Sequence, residues 1–193
     1  MRRLHRELPV GDAAIALLHG LFPAGVDRLS HSLGVGRRAE SVAQLLPAED
    51  RDLLVAAGYL HDIGYADGAV GTGLHQLDGA RYARGLGYDD ELSRLVAHHS
   101  FAEIEARNKG YADTLDREFP APTGRLATVL ELVTYCDMTA SSSGDPVTVD
   151  QRFAGIYSRY EQGHVVARSM RQAEPLVRAI VSDVDERLAA RFR

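Results

Sequence analysis

The sequence predicts an all-α fold, and three observations predict it. Apolar residues recur at helical spacing through most of the chain. No stretch alternates at period two with β-branched residues, as a half-buried strand would. The breaks between periodic stretches are rich in Gly, Ser and Pro, the residues that punctuate helices. Helices are expected over about 12–20, 24–46, 49–62, 75–86, 90–99, 125–140, 149–161 and 165–190.

The first helix, 12–20, is a short apolar stretch cut by Asp12 and His19. In the second, His31, Val35, Ala39 and Val42 keep one face, so His31 points toward the core. The third carries Leu54, Ala57 and His61 on one stripe and ends at Asp62, two residues before Gly64, read here as a C-terminal cap. A carboxylate at a helix C-terminus faces orphan carbonyls of the same sign and loses a few tenths to about 1 kcal/mol when exposed, more when buried. A cation beside it reverses that sign.

GYADGAVGTG, residues 64–73, reads as a mobile loop and candidate lid. The helix over 75–86 opens on His75, whose stripe runs through Gly79 and Tyr82; spacing alone favours reading His75 as a surface residue. In 90–99, Leu92, Leu95, Val96 and His99 share the inward face, whereas Glu91, Arg94 and His98 share a polar one. The region 101–124 holds two short helices stopped by PAPTG.

Along 125–140, Leu126, Leu130, Val133 and Asp137 advance on one apolar stripe. A buried carboxylate there costs several kcal/mol unless paired, whether by a metal or by an arginine such as Arg125 or Arg152. SSSGDP, residues 141–146, is a second loop. The last helix repeats Val177, Ile180, Val181 and Val184 at helical spacing, which suits either a homodimer or packing within the chain. His5, His19 and His164 lack a comparable context.

Composition bounds the reading. With 193 residues, 45% hydrophobic and 25% charged, the chain is expected to form one domain, a core over about 25–140 with a helical extension over about 147–193. A formal charge of -5 argues against general nucleic-acid binding and against an anionic membrane surface. One cysteine, Cys136, excludes an intramolecular disulfide and a multi-cysteine metal site, which fits a reducing, cytoplasmic setting. The opening MRRLHRELPVGDAAIALLHGLF lacks a signal-peptide pattern, and no apolar run reaches the roughly 18–20 residues of a membrane span.

In order, His31, the pair His61-Asp62 within LVAAGYLHDIG, and Asp137 form an H…HD…D pattern that resembles the HD superfamily of metal-dependent phosphohydrolases. The resemblance implies an all-helical bundle in which these four residues converge on a divalent ion. LHQLDGARYARGLG with His75 and LVAHHS with His99 resemble the second-metal segments of bacterial HD hydrolases of diadenosine tetraphosphate. That similarity implies that Asp62 bridges two ions, that His31, His61 and Asp137 hold one, and that His75 and His99 hold the other. The GYP element of HD-GYP cyclic dinucleotide phosphodiesterases is missing.

Imidazole and carboxylate ligands suit one or two Mn, Fe, Co, Ni or Zn ions. The function so implied is hydrolysis of a phosphoester or phosphoanhydride in a nucleotide or similar small phosphate compound, with hydroxide generated at the metal and His61 and Asp62 at the catalytic centre. Lys109, Arg94 and Arg107 are candidate substrate-side groups, although each taken singly reads rather as a solvated surface charge, and His98 is a candidate for the pocket rim. Two other readings stand beside this one: a di-iron oxygenase of the HD fold, similar to myo-inositol oxygenase-like enzymes, and a ligand-binding module without turnover.

Overall fold

The computed structural model describes residues 7–191, so the basic opening and His5 lie outside the described residues. Ten α-helices follow in order: α1 (Asp12–Leu21), α2 (Asp27–Val42), α3 (Ala48–Leu60), α4 (His75–Gly85), α5 (Asp90–His98), α6 (Ala102–Lys109), α7 (Ala112–Glu118), α8 (Arg125–Met138), α9 (Val149–Tyr157) and α10 (Val165–Arg191). Three single-turn 3₁₀ segments, Ala43–Leu45, Ile63–Tyr65 and His99–Phe101, connect some of them. Among the described residues there is no β-strand, and no helix is long and apolar enough to cross a membrane.

α3 is the central element. Every residue from Leu53 to Leu60 is buried, the pattern of a helix covered on all sides. α2, α5 and α8 pack against it, and α4 pairs with α5. α10 lies against α6 and α8 and buries Ala173, Val177, Val181 and Val184, so its valine stripe is used within the chain. α9 starts with a reciprocal cap, in which the Thr148 hydroxyl accepts from the Gln151 amide while the Gln151 side chain accepts from the Thr148 amide.

Several helix ends differ from the expected ones, two of them near the site. The helix expected over 24–46 ends at Val42, and a tight turn carries the chain to Leu46. α3 stops at Leu60, which leaves His61 and Asp62 in the turn that follows. Gly64 is not a left-handed cap, since it is not among the glycines with positive φ. It is needed for close approach: a Cβ there would lie 1.9 Å from the His75 carbonyl oxygen and 2.6 Å from the Gly79 nitrogen. This contact docks the first turn of α4 directly on the His-Asp turn.

The glycine-rich loop is also tied down. The Asp78 carboxylate, in the first turn of α4, accepts from the amides of Gly71, Thr72 and Gly73 and from the Thr72 hydroxyl. The expectation of a freely mobile loop therefore gives way to one held by a four-donor clasp.

Candidate metal centre

Each histidine of the centre is aimed by its own local structure. His31, on α2, bonds the Ser141 carbonyl through Nδ1 at 2.9 Å. That carbonyl is in place because the loop after α8 presses onto α2 where both segments have glycine: a Cβ on Gly34 would lie 2.3 Å from the Gly144 oxygen. His61 Nδ1 bonds the Gly58 carbonyl at 2.9 Å, and His99 Nδ1 bonds the Val96 carbonyl at 2.8 Å. A carbonyl only accepts, so Nδ1 carries the proton in all three rings and Nε2 presents its lone pair inward. His75 is oriented differently, stacked on Tyr65 with 4.3 Å between ring centroids.

The inward nitrogens surround two carboxylates. His31 Nε2 lies 3.1 Å from Asp137 Oδ1, and His61 Nε2 lies 4.0 Å from the same oxygen. Asp62 faces both ways: Oδ2 is 3.3 Å from His61 and 3.8 Å from His31, whereas Oδ1 is 3.2 Å from His75 and 3.8 Å from His99. Donor atoms of His31, His61 and Asp137 lie within 4.8 Å of one another, as do those of His61, Asp62 and His99. The six side chains proposed from the sequence thus meet in one place, all buried except the partly exposed His75.

Asp137 is placed by an unusual turn. Ser100 and Phe101 take left-handed backbone angles, φ 52 and φ 62, which L-residues with side chains rarely adopt. The Ser100 amide donates to Thr134 Oγ1, and its hydroxyl donates to Asp137 Oδ2. One short turn therefore directs His99 into the centre and fixes Asp137.

Two arginines complete the charge balance. Arg28 donates to Asp62 Oδ2, and Arg152 Nη2 donates to Asp137 Oδ1 at 2.7 Å and to His31 Nε2 at 3.0 Å. Burial alone would raise the Asp62 carboxyl, but Arg28 and His61 outweigh it and hold it well below the ordinary carboxylate range. Asp137 behaves alike, with burial overcome by Arg152 and His31. Burial opposes a charge on His61, yet Asp62 and Asp137 push its pKa up. Burial, then His61 and His75, drive His99 down to about 3.

The donor set fits a divalent transition metal. His31 Nε2 and His61 Nε2 point at each other across 3.3 Å, and in the neutral rings two lone pairs would meet there. A shared cation, proton or metal, removes that repulsion, and neutral imidazole with carboxylate is a donor set that Mn, Fe, Co, Ni and Zn accept.

The structure gives the four substrate-side candidates other contacts. Arg94 turns away, donating to the Pro120 and Ala121 carbonyls at 2.7 and 2.8 Å. His98 is buried rather than on a polar face, because α5 ends there and its Nε2–H donates to the Phe119 carbonyl at 2.6 Å. His98 and Arg107 line a separate cavity of about 610 Å³ between α6, α8 and α10. Lys109 spends its ammonium on Glu105, at 2.7 Å, and on the Gly73 carbonyl.

The cleft over the candidate ligands is lined instead by Arg28, Tyr65, Glu105, Arg152, Arg159 and Tyr160, together with Ser100 and Met170. Of these, Arg152 had been weighed only as a partner for Asp137, a contact it does make; Arg125 instead holds Asp50 and Glu91. Arg28 carried a readable signal, since it precedes His31 by three residues on the same helix face.

A family model described as HD domain matches residues 28–139. Ribonuclease Y from Rubrobacter xylanophilus is 34% identical over 101 residues, which cover 52% of this chain and 20% of that protein. The chain therefore spans about a fifth of the length of this curated relative. No solved structure gives a significant match.

Proposed function

The chain belongs to the HD domain family, and on that premise we propose that it is a metal-dependent phosphohydrolase acting on a phosphoester or phosphoanhydride bond of a nucleotide or similar small phosphate compound. One observation carries the reading: the Asp62 carboxylate is shared, with Oδ2 toward His61 and His31 and Oδ1 toward His75 and His99. A carboxylate divided between two imidazole pairs suits a bridging role between two cations.

Asp62 would bridge, His31, His61 and Asp137 would hold one ion, and His75 and His99 the other. Bound divalent ions supply water of lowered pKa and offset the negative charge of a phosphoryl group. The protein's own part is orientation. The Gly58, Val96 and Ser141 carbonyls fix three ring tautomers, and Ser100 holds one oxygen of Asp137 so that the other faces the centre. A relative named a ribonuclease supports chemistry at phosphorus; for this chain the net charge of -5 favours small phosphate compounds over a nucleic-acid strand.

The test is elemental analysis of protein purified without oxygen or chelators, followed by phosphate release from a panel of nucleotides and phosphate esters. About two transition-metal ions per chain and metal-dependent phosphate release are expected. Oxygen consumption with Fe(II) and no phosphate release would replace this reading with a di-iron oxygenase.

A further inference from the structure

Beside the metal centre the protein gathers three guanidinium groups. Arg28 comes from α2, Arg152 from α9, and Arg159 lies just past the end of α9. All three, with Tyr160, line both the cleft over the candidate ligands and an adjoining cleft of about 170 Å³ whose other walls are Asp27, His31 and Ser142. Like charges brought this close need a reason.

Two of the three have carboxylate partners in the centre itself, Arg28 on Asp62 and Arg152 on Asp137. Arg159 has none: among the described residues its guanidinium makes no hydrogen bond or ion pair, although it borders the cleft. Arg152 is 9% exposed, and its Nε is buried with no hydrogen-bond partner. A buried guanidinium nitrogen without an acceptor is costly, so an acceptor is missing from this wall.

The two paired arginines hold the very oxygens that a metal would take, Asp62 Oδ2 and Asp137 Oδ1. Metal binding therefore frees their donors at the edge of the cleft, next to Arg159. The cleft then contains three guanidiniums besides the metal charge, against Asp27 in the adjoining part and Glu105, which is already paired with Lys109.

We infer that Arg28, Arg152 and Arg159 form an anion subsite that binds a second phosphate group of the substrate, next to the one at the metal centre. The inference rests on the phosphohydrolase reading and narrows it: the substrate carries adjacent phosphates, as a nucleoside di- or triphosphate does, rather than a single phosphate ester. The planar, forked donors of arginine match phosphate oxygens two at a time. The subsite belongs largely to the extension, since Arg152 and Arg159 both follow α8.

The test compares an uncleavable diphosphonate, methylenediphosphonate, with methylphosphonate by calorimetry on the metal-loaded full chain, with metal content measured before and after. The diphosphonate is expected to bind about tenfold or more tightly than the monophosphonate. Arg159→Gln is expected to remove most of that preference with metal content unchanged. Because the Arg159 side chain makes no hydrogen bond or ion pair within the fold, this variant stays folded; Arg152→Gln, checked by circular dichroism, is the second variant and should act in the same direction. Equal binding of the two probes by the wild type, or an unchanged preference in Arg159→Gln, overturns the subsite. A preserved preference in a chain that releases phosphate from no substrate overturns the hydrolase reading and leaves the subsite standing.

Discussion

The Ser100 hydroxyl donates to Asp137 Oδ2 at 2.5 Å while Ser100 itself sits in left-handed backbone, φ 52. The bond and the strain act on one residue and can be separated. Ser100→Ala keeps the strain and loses the charge-assisted bond, a loss of about 1.5–3 kcal/mol. Ser100→Gly loses the same bond but relieves a left-handed penalty of about 1–2 kcal/mol. The glycine variant is therefore expected to melt above the alanine variant, and both to bind metal more weakly than wild type, as seen by denaturation and metal titration.

Asp62→Ala is expected to lose bound metal and to cut turnover by at least about a hundredfold, beyond the 10–100-fold range of groups that only support ligands. Helical content should be largely kept, because Asp62 lies in the turn after α3 and not within a helix. Full metal content in this variant, measured by elemental analysis, would remove the bridging role.

Arg152→Leu takes the cation from a buried pair and leaves Asp137 charged and uncompensated. The metal-free variant is expected to be less stable by about 3–5 kcal/mol. Added divalent metal supplies the missing charge, so the gain in melting temperature on metal addition should be larger in the variant than in the wild type. An equal gain in both would show that Arg152 does not compete for the Asp137 oxygen.

Gly64→Ala places a methyl 1.9 Å from the His75 carbonyl, a backbone atom that cannot rotate away. Overpacking of this kind costs about 1–3 kcal/mol or more. It also pushes α4 off the His-Asp turn, so the expected signature is lower stability together with loss of the ion assigned to His75 and His99.

Acid sensitivity has a local component at the surface. Hydrogen bonding from Arg81 holds the Glu118 carboxyl below its ordinary range, against a smaller opposing effect of burial. The folded pKa is depressed, so as pH falls the unfolded chain takes up its proton first. The pair's contribution, at most about 1 kcal/mol, is present above about pH 4.3 and is lost as pH drops through the folded value. The melting-temperature gap between wild type and Glu118→Gln should be full at neutral pH and close in acid.

Much of the centre was readable from helical faces: His31, His61, Asp137 and His99 each share a stripe with core residues, and burial follows from that. His75 was not readable by spacing, since a residue at the start of a helix belongs to no complete stripe; the resemblance supplied it. His98 misled because a helical wheel assumes that the helix continues, whereas α5 ends at His98 and the Phe119 carbonyl covers it. Arg159 and Tyr160 were unreadable in principle. They reach the cleft through the path of the chain after α8, and no local periodicity encodes that path.

The family match ends at residue 139, yet the carbonyl that orients His31 and two of the three cleft arginines come after it. The matched segment therefore carries the candidate ligands without carrying the whole of their surroundings. A chain cut at residue 139 would keep all six candidate ligands but lose the Ser141 carbonyl behind His31 and the walls that Arg152 and Arg159 give the cleft.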